Sequence, residues 1–229
     1  MAHPVFFEPA MFITEIVFTL VATVLCFLIF VKTRESYTLT KHEGIKYFRD
    51  AFLLFGISYV LRFMLGLIFL FGVAFDFIIP RDMFGPFFIL TLGYVSTIGL
   101  WYLIFCSIWK RFSRKSLMII GHTTAILLSI VSFFLHSHLI ILYAQFILLI
   151  IGIILIFRSG TKAKKVSQTK ILYILTSFLW LINLFIIDKK GPPRIEGIFG
   201  FWFEMFFQVI SILVLFIIYH KMSRAMVGS

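Results

Sequence analysis

Seven apolar runs dominate this chain, near residues 11–31, 47–75, 86–109, 116–135, 139–158, 169–188 and 199–220. Each is long enough to cross a hydrocarbon core of about 30 Å as a helix rising about 1.5 Å per residue. The expected fold is therefore all-α: one polytopic membrane domain over residues 1–229, built as a seven-transmembrane-helix bundle. Composition agrees, with 61% hydrophobic and 14% charged residues against about 45–50% and 25% in soluble domains. The first run lacks a basic stretch before it and a small-residue cleavage site after it, so it reads as a retained helix and not a signal peptide.

Orientation follows from the basic residues. They gather at 32–49, 110–115, 158–170 and 221–224, all on one side of the alternating runs. The other side holds Arg81, Lys189, Lys190 and Arg194. By the positive-inside rule the N-terminus is outside and the C-terminus cytoplasmic. This distribution absorbs most of the formal charge of +11, so no nucleic-acid partner is needed to explain it. The turn "LHSHL" between the fourth and fifth runs is short enough to make those helices antiparallel neighbours. The endings "LIFVKTRESYTLTK" and "LIFRSGTKAKKVSQTK" of the first and fifth runs are similar. They suggest a 3+1+3 repeat, an arrangement used by transporters with parallel halves. Heavy use of Ile, Phe and Lys points to a prokaryotic cell membrane.

Against this background Arg62 stands out, inside "GISYVLRFMLGLIFLFG". Insertion scales set about 2.5–3.5 kcal/mol against an arginine at the bilayer centre, so it is expected to face the bundle interior and pair with a carboxylate. Glu15 in the first helix and Glu204 in the seventh are the candidates, and in a sequential seven-helix ring both would neighbour the second helix. Polar residues recur at helical spacing around them. Ser58 and Tyr59 share the face of Arg62, and Gln208 and Ser211 follow Glu204. Tyr173, Thr176, Trp180 and Asn183 form a stripe on the sixth helix, and Tyr94, Thr97 and Trp101 one on the third. The simplest packing turns all four stripes inward around one polar space. The plainer alternative is that such groups only join helices, at about 0.6 kcal/mol per hydrogen bond.

Other chemistry is poorly represented. Cys26 and Cys106 lie in apolar runs without CxxC or Cys/His spacing. His136 and His138 form a pair without a third ligand, and His122 reads as a hydrogen-bonded interface residue. "RSGTKAKKVSQTK" would suit anionic headgroups or a cytosolic protein, but the positive-inside rule already explains it. With no HExxH, HxxxH or GxSxG motif, neither a metal, a cofactor nor an enzyme is expected. In size and topology the chain resembles the microbial rhodopsins, which hold retinal through a lysine in the seventh helix. Here that helix reads "FGFWFEMFFQVISILVLFIIYH", and Lys221 follows only after its end. The topology also resembles small sugar transporters of three-plus-one-plus-three design, without the Pro-Gln pair those carry in the first or fifth helix. Neither resemblance reaches a motif.

The expected function is transport of a small solute or ion through a site built on Arg62, Glu204, Glu15, Tyr59, Tyr94, Trp101, Trp180, Asn183 and Gln208. The alternative is a seven-helix receptor that signals through a separate cytoplasmic protein. A third reading is an accessory subunit whose salt bridge only orders the bundle. The expected partners are the bilayer, a small-molecule or ion ligand and, for a homo-oligomer, further copies of the chain.

Overall fold

The structure is a computed structural model that describes residues 9–75, 81–135, 137, 139–158, 168–187 and 198–227. His136, His138, Lys189, Lys190, Arg194 and most of the basic segment before the sixth helix lie outside the described residues. The described residues form seven helices in order: α1 (Pro9–Thr40), α2 (Glu43–Ala74), α3 (Arg81–Ile108), α4 (Arg114–Phe134), α5 (Leu139–Arg158), α6 (Gln168–Ile187) and α7 (Ile198–Val227). No strand occurs among the described residues. Six of the helices, all but α6, are long and apolar enough to cross a membrane, while α6 has a shorter apolar stretch, Ile171–Asn183. The chain is a multi-pass integral membrane protein.

The helices begin and end close to the apolar runs, except where polar residues extend them. α1 continues past its apolar run to Thr40 because its last turns pack against the start of α2. There the Arg49 guanidinium lies 5.7 Å from the Phe30 ring centre and 5.4 Å from that of Tyr37. The Lys46 ammonium also lies over Tyr37. Contacts of this kind contribute about 0.5–1 kcal/mol each at exposed sites. Lys41 then reverses the chain at φ 53°, the left-handed conformation common just after a helix end. Its N–H closes the last turn on the Tyr37 carbonyl at 2.8 Å.

Neighbouring helices define a ring of six: α1 packs on α2, α2 on α3, α3 on α5, α5 on α6, α6 on α7, and α7 on α1. This corrects the expectation of a sequential seven-membered ring. α4 stands outside, against α3 and α5. Its composition explains how it fits there. The buried face of α4 reads Leu117, Gly121, Ala125, Ser129 and Ser132, at spacings of four and three, and small residues at that spacing let helix backbones approach closely. The helix ends that carry Lys32–Arg49, Lys110–Lys115 and Lys221–Arg224 gather at one end, called the basic end below. His42 meets Trp109 there with ring centres 5.1 Å apart. Tyr47, Phe105 and Leu117 form a small buried cluster beside them.

One close approach limits what the sequence tolerates. Gly152 of α5 faces the Tyr173 hydroxyl of α6, and a Cβ added at Gly152 would overlap that oxygen. Tyr173 is itself almost fully buried and cannot swing into lipid. Gly152→Ala is expected to lower the stability of the detergent-purified protein by about 1–3 kcal/mol through overpacking. Adding Tyr173→Phe should restore much of the loss, and thermal unfolding of the single and double variants checks both outcomes.

Candidate functional site

The inward face of α2 repeats at helical spacing through Phe48, Phe52, Phe55, Tyr59 and Arg62, and the first four are buried. From the basic end the face begins as an aromatic column. Phe48 and Phe52 ring centres are 4.9 Å apart, and those of Phe52 and Phe55 are 5.8 Å apart. Phe55 then stacks on Trp180 of α6 at 4.6 Å, with the ring planes 22° apart. One turn along, Tyr59 donates to Asn183 Oδ1 at 2.9 Å. Asn183 donates in turn to the Leu179 carbonyl at 2.8 Å, so both ends of its amide are engaged. α2 and α6 are not among the packed neighbours of the ring. Their long side chains therefore cross its middle, and aromatic pairs of this type contribute about 0.5–1.5 kcal/mol beyond burial.

Arg62 lies beyond this crossing, and its Nε donates to Glu15 Oε1 at 2.9 Å. Gly56 faces Cys26 and Gly66 faces Ile16, which sets the register of α1 against α2. In that register the Arg62 backbone is level with Leu20, five residues from Glu15 along α1, or roughly 7 Å of helix rise. The arginine side chain spans that distance, placing its charge well away from its own backbone depth. The paired side chains are 12% and 22% exposed, so most of their hydration is lost.

α7 supplies a further polar group to the same end. Gln208 donates to Glu204 Oε1 at 3.3 Å, and Gln208 and Ser211 are buried. Further along this face Leu215, Ile218 and Met222 are apolar and buried. Thr19 and Glu15 stand at the corresponding end of α1, whereas Ala22, Cys26 and Ile29 fill its basic half. α2 and α7 thus share one gradient, polar toward the end away from the basic loops and dry toward the basic end, and α1 follows it except at buried Thr33, which bonds the Ile29 carbonyl of its own helix. Trp180 Nε1 and Ser211 Oγ are buried and have no hydrogen-bond partner among the described residues.

Tyr94 and Trp101 are not brought into this space. Tyr94 meets His122 Nδ1 of α4 at 2.8 Å. Trp101 lies against Phe105, with ring centres 5.6 Å apart, beside the small cluster at the basic end. The expected inward stripe on α3 is therefore turned away from the α2–α6 crossing. The cause is α3's position: with both α4 and α5 packed on it, its polar side chains find partners in those helices. Gln145 of α5, which the sequence reading passed over, donates to Ser96 Oγ at 2.7 Å and Thr97 Oγ1 at 3.1 Å. Its signal was available, since it is the one amide inside an otherwise apolar helix. Phe55 gave no signal, being one of 31 phenylalanines.

No known family pattern matches the chain, and no solved structure matches it. It is similar to an uncharacterized protein of the archaeon Archaeoglobus fulgidus, 26% identical over 215 residues. The match covers 92% of this chain and 91% of that one.

The ion pair makes a direct prediction. Removing one member of a buried pair strands the other charge and costs about 3–5 kcal/mol, whereas an apolar replacement of both is often neutral. Arg62→Leu should accordingly destabilise by about 3 kcal/mol, and Glu15→Leu added to it should recover most of the loss. Unfolding of the two single variants and the double in one detergent measures the coupling. Purely additive losses would show that Arg62 does not depend on Glu15.

Proposed function

We propose that the protein is a small-solute or ion transporter rather than a receptor or an enzyme, and that it lies with its N-terminus outside and its basic end in the cytoplasm. The observation that carries this reading is the order of the ring. Exchanging α1, α2 and α3 for α5, α6 and α7 leaves every neighbour relation within the ring of six in place, as two equivalent three-helix units would. In that scheme α2 and α6 are counterparts and meet at the centre, where Phe55, Trp180, Tyr59 and Asn183 cross. The similar endings of the first and fifth runs support the same division.

The aromatic column from Phe48 to Trp180 then acts as the closed gate on the cytoplasmic side. The polar half, with Tyr59, Asn183, Arg62, Glu15, Glu204 and Gln208, receives the solute from outside. Trp180 Nε1 and Ser211 Oγ offer it two buried polar groups. Rocking one unit against the other would part the crossing and open the opposite side. Tyr94 and Trp101 have no place in this scheme and serve the attachment of α4 and the packing of the basic end. A receptor reading draws on the one-ended polarity alone and leaves the equivalence of the two halves without a purpose.

Two measurements separate the readings. The parent protein, screened in detergent against hexoses, amino acids and monovalent cations, is expected to gain thermal stability with one class. Asn183→Leu should abolish that gain. In proteoliposomes, a cysteine placed by Phe52→Cys in a Cys26→Ser, Cys106→Ser background should react with a membrane-impermeant maleimide from the basic side. Its labelling rate should change several-fold on addition of the stabilising solute. Complete protection under every condition would remove the alternating gate and favour a receptor open to one side.

A further inference from the structure

The basic end of α7 carries a second site that transport does not explain. A cleft of about 380 Å³ opens between the start of α6 and the end of α7, lined by Leu172, Phe216, Ile217, His220, Lys221 and Arg224. Its chemistry is divided in two. Leu172, Phe216 and Ile217 give an apolar floor, and Lys221 and Arg224 give two cations at the rim. From Phe216 an exposed apolar stripe continues along α7 through Leu213, Val209 and Phe206, on the face turned to lipid.

The cations have no counter-ion among the described residues. The carboxylates near the basic end are Glu35, Glu43 and Asp50, and each is already paired. Glu35 bonds Lys32 at 3.0 Å, Glu43 bonds Lys46 at 3.5 Å, and Asp50 bonds Arg49 at 2.6 Å. Neither Lys221 nor Arg224 forms an ion pair among the described residues. In sequence, residues 159–167 contain no acid. The negative end of the α7 dipole opposes an anion by only about half a charge, against two full positive charges.

We propose that this cleft binds one anionic phospholipid, its phosphate between Lys221 and Arg224 and an acyl chain along Phe216, Leu213 and Val209. A soluble anion would satisfy the rim and leave the apolar floor and stripe unused. A zwitterionic lipid would cover the floor and bring a phosphate, but its own cation cancels that charge and leaves the two positive charges uncompensated. The cleft sits where the apolar span of α7, Trp202–Arg224, ends, which is the depth of the headgroups. Basic pockets between helices at this depth suit anionic headgroups.

The test uses the full-length protein with Phe216→Trp, reconstituted in vesicles that contain brominated phosphatidylglycerol or brominated phosphatidylcholine. Tryptophan fluorescence, corrected for the parent, should be quenched at much lower mole fraction by the glycerol lipid. Lys221→Gln with Arg224→Gln should reduce that preference by about thirty-fold, at roughly fivefold per basic residue near the surface. Lys110→Gln with Arg111→Gln, at the same membrane surface, should leave it within twofold. Equal quenching by the two lipids overturns the proposal. So does an equal loss in the Lys110, Arg111 control, which would reduce the effect to general surface charge. Relief of quenching by millimolar inorganic phosphate at constant ionic strength would assign the site to a free anion instead. If the double glutamine variant does not insert, Lys221→Gln alone should reduce the preference about fivefold, and equal quenching of Phe216→Trp by the two lipids still overturns the proposal.

Discussion

A bilayer core offers no hydrogen bonds, and everything distinctive in this structure follows from how the chain meets that constraint. The backbone meets it by becoming helical, which nearly any apolar run can do. Polar side chains meet it only by finding each other, and their choices fix which helices touch. Thr19, Thr23, Thr33, Ser58 and Thr176 take the cheapest route and bond a carbonyl one turn back in their own helix. Those residues say little about packing. Arg62, Tyr59, Gln145 and Tyr94 have reach or donors that their own helices do not satisfy. Each binds a different helix, α1, α6, α3 and α4 respectively, through Glu15, Asn183, Ser96 with Thr97, and His122.

The second consequence is the gradient of polarity along the bundle. Two charges in contact attract far more strongly in a medium of low dielectric than in water, and an unpaired one is correspondingly costly. A charged pair is therefore best placed where some hydration remains. Arg62 achieves this by reaching along α1 toward Glu15 while its backbone stays deeper. The dry half needs no such arrangement, because Phe48, Phe52, Phe55 and Trp180 bring few polar atoms. One helix face thus holds a seal and a polar region in series, separated by a single turn between Phe55 and Tyr59. On the proposed transport reading, the seal is the gate and the polar region the binding site.

Much of this was legible before the structure. Hydropathy alone placed the helices to within a few residues at most ends, and the cost of an intramembrane arginine called for a carboxylate partner but left Glu15 and Glu204 both open, with Glu204 preferred; the contact formed is with Glu15. The misses have physical causes. α1 runs on to Thr40 because Tyr37 packs under the cations of α2, a tertiary contact that no hydropathy window contains. Tyr94 and Trp101 have the spacing of an inward stripe, but spacing fixes only that residues share a face, not which neighbour that face meets. The direction was set by α4, whose displacement from the ring depends on the small residues Gly121, Ala125 and Ser129. Glycine, alanine and serine attract no notice in a hydropathy plot. Glu204 and Gln208 share one face as their spacing requires, and their hydrogen bond is a product of that spacing alone.

The position of α4 also follows from parity, on the reading of two equivalent halves. A unit of three antiparallel helices starts on one side of the membrane and finishes on the other. A second unit with the same orientation must start where the first one started, so the chain has to cross the bilayer once more between them. The connecting helix belongs to neither half, and a place in the ring would separate α3 from α5 and spoil their equivalence with α7 and α1. It must therefore lie outside, against the one junction it links. A helix in that position faces lipid over most of its circumference and needs only a narrow face for attachment. The stripe from Leu117 to Ser132 supplies that face, with Tyr94 and His122 as its polar fastening. Their hydrogen bond thus lies at the one junction of the halves that a connecting helix must hold, which accounts for the presence of a tyrosine and a histidine there without assigning either to the solute.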